Sequence, residues 1–138
     1  MGSEWQLAEK PTIQALKDMG YTVVTKADHE ALRDGENQVL FRPHVIDTIK
    51  RLNGLSDEDA KAAYVDLLSK NDNEEWLGIL RGNYSRKVQG QTEHKTIKLI
   101  DFLKPENNTF TVTNQLYVKA EKSRIPDVVV YINGIPVV

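Results

Sequence analysis

Few residues in this chain are placed to do chemistry, and Asp127 has the most demanding setting. It precedes Val128-Val129-Val130-Tyr131-Ile132, a run rich in β-branched and aromatic residues, and Asn133-Gly134 follows. Asn-Gly between apolar runs is a strong signal for a type I′ hairpin turn. Val128, Val130 and Ile132 fall on one face, and Asp127, Val129 and Tyr131 on the other, so beyond the acid both faces are apolar and the strand is expected to be central in its sheet. Pro126 fixes the approach. A carboxylate on so stiff an element suits a hard cation such as Mg²⁺, which takes one or two carboxylate oxygens beside waters and phosphate oxygens. A lone acid at a strand start is also an ordinary turn residue, and this pattern leaves both readings open.

Other chemistries are excluded by the residues present. There is no G-x-x-x-x-G-K-[ST] loop for ATP, no G-x-G-x-x-G for a dinucleotide and no G-x-S-x-G elbow for a serine nucleophile. His29, His44 and His94 are scattered without metal-ligand spacing, and cysteine is absent, which closes disulfide and thiolate-metal chemistry. Asp101 shares a parity with Ile97 and Leu99, which favours a structural hydrogen-bond acceptor over a site residue. Asn114, on an apolar face, reads as a satisfied core amide. Glu9 near the first helix reads as serving the helix dipole or as simply solvated.

The net charge of −2 hides an asymmetry. Residues 1–80 hold nine Lys and Arg against fifteen Asp and Glu, whereas residues 81–124 hold nine against four. Lys87, Lys95, Lys98, Lys119, Lys122 and Arg124 are therefore candidates for contact with a nucleic-acid backbone, against the alternative of a solvated, lysine-rich sheet face. No stretch approaches membrane-spanning length and the start is polar and acidic, so a cytoplasmic location is expected.

The positioning elements come in two blocks. Ser3 with Gln6 suggests a capping box, and apolar positions at helical spacing run to a stop at Gly20. Pro11 marks either a helix start near Lys10 or a kink in a longer helix. A short strand follows at 21–25. Three short helices are then expected: one within 39–52 with Pro43 in its first turn and Asn53-Gly54 as its exit; one opened by Ser56 and Asp59 with Ala60, Tyr64, Leu67 and Leu68 as its stripe; and one from about Asn73 to Arg81 with Trp76, Leu77 and Leu80 inward and Gly82 as cap. From residue 83 the period changes to two. Paired strands are expected at 83–88 and 95–102 across a loop containing Gly90, with a longer strand at 108–119 and the closing hairpin after it. The class is α+β: a mixed sheet packed by the N-terminal helix, with a helical insert at about 42–82 and a sheet region at about 83–138. The chain stops on the apolar Ile135-Pro136-Val137-Val138, an exposed edge that invites pairing, so it is expected to be the N-terminal part of one domain cut within its final hairpin.

The words of this sequence resemble those of a known family. Residues 124–138 closely resemble the R-P-D-V-V-L-F-V-N-G-L-P-L-V segment of the R (restriction and translocation) subunits of type I restriction enzymes. In the right order, Glu9 and Leu16 with Gly20-Tyr21 look like that family's opening helix, Arg51-Leu52-Asn53 like its R-L-N, Leu99-Ile100-Asp101-Phe102 like its L-I-D-F, and Asn108-Thr109-Phe110 through Asn114-Gln115 like its N-x-F…N-Q segment. The resemblance implies a restriction-endonuclease-like PD-(D/E)xK core at the front of a longer, ATP-driven DNA translocase. Asp127 would be the motif's first acid and a Mg²⁺ ligand, and the second acid and the lysine would lie on the return strand past Val138. Nucleases of that fold often direct a helix-borne acid toward the metal, which makes Glu9 a second candidate site residue. It further implies non-specific cleavage of double-stranded DNA, with methylase and specificity subunits and the downstream translocase domains as partners, and ATP bound elsewhere in the longer chain. Residues 1–138 alone are expected to be inactive. The rival readings are a non-catalytic docking module that kept the fold and holds partner subunits, and a PD-(D/E)xK nuclease unrelated to restriction.

Overall fold

The computed structural model describes residues 10–24, 28, 31–32, 40–113 and 128–137. In chain order its elements are α1 (Lys10–Asp18), β1 (Thr22–Val23), α2 (Arg42–Asn53), α3 (Asp57–Leu68), α4 (Asn73–Leu80), β2 (Ser85–Lys87), β3 (His94–Thr96), a 3₁₀ turn (Pro105–Asn107), β4 (Phe110–Thr113), β5 (Val129–Ile132) and β6 (Ile135–Pro136). The class is mixed α+β, with a four-stranded mixed sheet in the order β1-β4-β5-β6. Two compact units divide the chain, one formed by residues 1–42 with 109–138 and the other by residues 43–108.

In the first unit the described part of α1 carries Pro11 in its first turn, where the missing donor costs no helical bond. It ends in a Schellman closure: Tyr21 N–H donates to Leu16 O and Gly20 N–H to Lys17 O, with Gly20 at φ 99°. β1 then runs parallel to β4, in the register Thr22 to Thr111 and Val23 to Val112. β4 and β5 are antiparallel, with Phe110 opposite Ile132 and Thr113 opposite Val129. β5 is thus flanked by β4 and β6, the central position that its two apolar faces require. Val129 and Tyr131 are buried, and with Val24 and Phe41 they make a core cluster against which Leu32 packs. Within that cluster the rings of Phe41 and Tyr131 stack with centroids 3.9 Å apart. Thr111 and Thr113 are buried as well as Val112, so the polar residues of β4 do not mark a solvent face.

In the second unit the end of α2 and the starts of α3 and α4 have local causes. Gly54, at φ 63°, ends α2, and Leu55 N–H reaches back to Lys50 O. Ser56 caps α3 by accepting from Asp59 N–H, and Asp72 caps α4 by accepting from Glu75 N–H. The expected stripe of α3 is largely correct, since Ala60, Tyr64 and Leu67 are buried, with Ala63 beside them. In α4 the phase differs from expectation: Leu77 is 52% exposed and Ile79 is buried. Two turns of helix contain too few apolar positions to fix a face from their spacing.

The basic half also departs from the expected strands. Among the described residues β2 and β3 pair only with each other, Arg86 opposite Lys95, as a two-stranded sheet. Residues 97–102 are not strand. After one more backbone bond, from Ile97 N–H to Tyr84 O, the partner of the chain is a side chain: Asn53 Oδ1 accepts from Lys98 N–H at 2.7 Å and its Nδ2 donates to Lys98 O at 2.9 Å. A buried amide at the end of α2 therefore takes the place that a neighbouring strand would hold. The long strand expected over 108–119 is described as β4, and its residues 114–119, Asn114 among them, lie outside the described residues.

Candidate functional site

The closing hairpin is a fixed element built from its own sequence. Asn133 at φ 54° and Gly134 at φ 83° form the type I′ turn, whose two positive φ angles suit Asn-Gly. Asn133 does more than turn the chain. It is fully buried; its N–H donates to Thr109 O and its Oδ1 accepts from Thr109 N–H, both at 2.8 Å. That exchange extends the β4–β5 ladder past the end of β5. Gly134 O accepts from Phe41 N–H at 2.9 Å, which holds the turn to the segment carrying the stacked ring. On the return strand Val137 N–H donates to Val130 O, so the ladder passes Pro136, opposite Tyr131, without needing its missing donor.

Asp127, Glu9, Lys119, Lys122 and Arg124 lie outside the described residues, as does His29. Of the other basic candidates, Lys87 and Lys98 are exposed. Lys95 is half-buried, and its Nζ donates to Asn53 O at the end of α2, where a cation also meets the negative end of the helix dipole. Across from it Arg86 turns to Asp66, whose carboxylate also accepts from the buried Tyr84 hydroxyl at 2.7 Å. Chiefly that hydroxyl, aided by Lys70 and Arg86, lowers the Asp66 pKa. Burial above all, and then the Asp66 carboxylate, push the Tyr84 phenol upward. His94 is exposed. His44 is half-buried, and its pKa is lowered by that burial, against an opposing pull from Asp47. Among the described residues no three of His, Asp and Glu gather as a metal site.

Asp101 is placed as a structural acceptor. Its Oδ1 accepts from Leu103 N–H at 3.1 Å and Lys104 N–H at 3.0 Å, and its Oδ2 from Asn107 Nδ2 at 3.0 Å. Asn108 closes the same loop by exchanging bonds with Asp101 N–H and O, and Arg51 donates to Asn107 O at 2.6 Å. The words Arg51-Leu52-Asn53, Leu99-Ile100-Asp101-Phe102 and Asn108 thus belong to one hydrogen-bonded scaffold that shapes residues 98–108. Spacing alone gave no sign of its long-range links, because Asn53 lies 45 residues from Lys98 and Arg51 lies 56 from Asn107.

The Asn107 amide, followed by the Lys104 N–H, holds the Asp101 carboxyl below its ordinary pKa of 3.8. A depressed folded-state value means that its contribution to stability is fully present above pH 3.8 and fades as pH falls through the lower folded value. Urea titrations between pH 6 and 2 should show part of the acid-induced loss disappearing in Asp101→Asn. An unchanged pH profile would remove Asp101 from the acid response.

Comparison with known proteins agrees with the words of the sequence. All of residues 1–138 match the family described as type I restriction enzyme R protein N terminus. The chain is 27% identical over 146 residues to the type I restriction enzyme HindI endonuclease subunit of Haemophilus influenzae. It is 28% identical over 155 residues to the putative type I restriction enzyme MjaIXP endonuclease subunit of Methanocaldococcus jannaschii. These alignments take in 94% and 98% of this chain but only 14% of each relative. Matched along its whole length, the chain belongs to the family of type I restriction enzyme R protein N termini.

Proposed function

We propose that this region is the nuclease part of a type I restriction enzyme R subunit, with a PD-(D/E)xK core that cuts double-stranded DNA without sequence preference. The observation that carries the reading is the family match over residues 1–138, within which Pro126-Asp127 leads into β5 and the buried Asn133-Gly134 turn. A carboxylate acting as a metal ligand there would have to be held with little conformational freedom.

The fit to Mg²⁺ is partial. Asp127 supplies one hard oxygen donor, residues 128–138 contain neither acid nor lysine, and among the described residues no acidic cluster stands ready to complete the set. A second carboxylate and a lysine further along the return strand would complete it. Once bound, the cation would polarise the scissile phosphate and lower the pKa of a water. Glu9 is a further candidate ligand, and Lys87, Lys98, Lys119, Lys122 and Arg124 are the candidate contacts to the DNA backbone. Translocation driven by ATP belongs to the domains that follow, and the methylase and specificity subunits would supply target choice.

The test is plasmid cleavage by the longer chain together with the methylase and specificity subunits, with Mg²⁺ and ATP present. Linear product is expected, and residues 1–138 alone should give none. Uncut plasmid with the complete set of components would sink the reading.

A further inference from the structure

The loop that the polar scaffold shapes displays two large apolar side chains to water. Phe102 is 66% exposed and Leu103 is 89% exposed. An isolated exposed Leu is ordinary, but here two apolar neighbours stand on a backbone fixed on both sides by Asn53, Asp101 and Asn108. Beside them opens a cavity of about 250 Å³, lined by Leu80, Leu99 and Ile100 together with Phe102 and Leu103. Arg81 and Lys98 stand in its wall, and Lys104 follows next in the chain. The one carboxylate in the wall, Asp101, is occupied by three donors within its own loop. An apolar floor, two exposed apolar side chains on a hydrogen-bonded loop and a positive rim form a surface complementary to an apolar side chain flanked by carboxylates.

We propose that Phe102 and Leu103 dock an acidic, apolar segment of the polypeptide that follows residue 138 in the longer chain. The inference rests on the R-subunit reading above. In both relatives the matched region is 14% of the length, so most of such a chain is available to cover this surface, always at a one-to-one ratio. The basic rim selects which part of it does so. Docking here ties the unit of residues 43–108 to what comes after it.

The experiment uses the longer chain carrying the photo-reactive substitution Leu103→p-benzoylphenylalanine, with Phe102→p-benzoylphenylalanine as a second variant. Both positions are exposed, so neither substitution disturbs packing. After irradiation, mass spectrometry should find a cross-link to an Asp- or Glu-rich peptide beyond residue 138, and Arg81→Glu with Lys98→Glu should lower its yield at least five-fold. A cross-link within residues 1–138, to a second copy, to another subunit or to added DNA would overturn the proposal. So would a product quenched only by water, or a yield indifferent to charge reversal. Failure of the nuclease reading shows elsewhere, as cutting that survives loss of Asp127.

Discussion

Replacing Asp127 by alanine in the assembled enzyme is expected to lower DNA cleavage on the order of 10³-fold or more while ATP hydrolysis stays at its starting rate. Removing a group that only orients a metal ligand already costs about 10- to 100-fold, and loss of the ligand itself removes both an oxygen donor and a negative charge from the cation. Asp127→Asn is the sharper variant, since it keeps size and shape and loses charge; it should fall nearly as far. Because residue 127 precedes β5, while the core contacts of that strand come from Val129 and Tyr131, circular dichroism of the variant should match the parent. The two activities are to be read on one preparation, by plasmid linearisation and by phosphate release. Retained cutting takes Asp127 out of the mechanism and favours the rival reading, a docking module that kept the fold. Loss of both activities together would mean that the substitution disturbed assembly rather than chemistry.

What the sequence made legible was local. Ser56 before Asp59, Gly20, Gly54 and Gly82 at helix ends, and Asn133-Gly134 in the hairpin each act within a few residues of themselves. Their physical demands, a side-chain acceptor or a positive φ, are met where expected. What stayed hidden was long-range. Nothing in residues 21–25 announces a parallel partner at 111–112, because β-branched residues suit either direction of pairing. The alternation over 95–102 correctly put Ile97 and Leu99 inside, yet the strand stops at Thr96, since burial of alternate residues needs only an extended chain. The buried amide of Asn133 looked like a turn residue alone, its second role depending on Thr109, 24 positions away. For the site, the Pro-Asp step before the apolar run was readable as a word, while Asp127 itself lies outside the described residues.

Loss of the Asn53 amide should cost the 138-residue chain about 2–4 kcal/mol, a large share of the roughly 5–15 kcal/mol that holds a typical domain folded. In Asn53→Ala three hydrogen bonds vanish: those from Nδ2 to Ile49 O and Lys98 O, each 2.9 Å, and that from Lys98 N–H to Oδ1, 2.7 Å. Each buried polar group left without a partner costs about 1–3 kcal/mol, and the exposed flank of Lys98 lets water recover some of this, which keeps the sum below three full penalties. The bond from Lys95 to Asn53 O uses the backbone and survives, so the end of α2 should stay helical. Asn53→Asp separates geometry from charge. Its carboxylate still accepts from Lys98 N–H but faces two carbonyl oxygens with no proton to offer, so this variant should be the less stable at neutral pH and should recover as acid protonates it. Urea midpoints followed by the combined fluorescence of Trp5 and Trp76, together with hydrogen exchange at the Lys98 amide, read the global and the local effect separately. A change below about 0.5 kcal/mol, the size of an ordinary surface substitution, would show that the loop carrying Phe102 and Leu103 keeps its shape without this clamp.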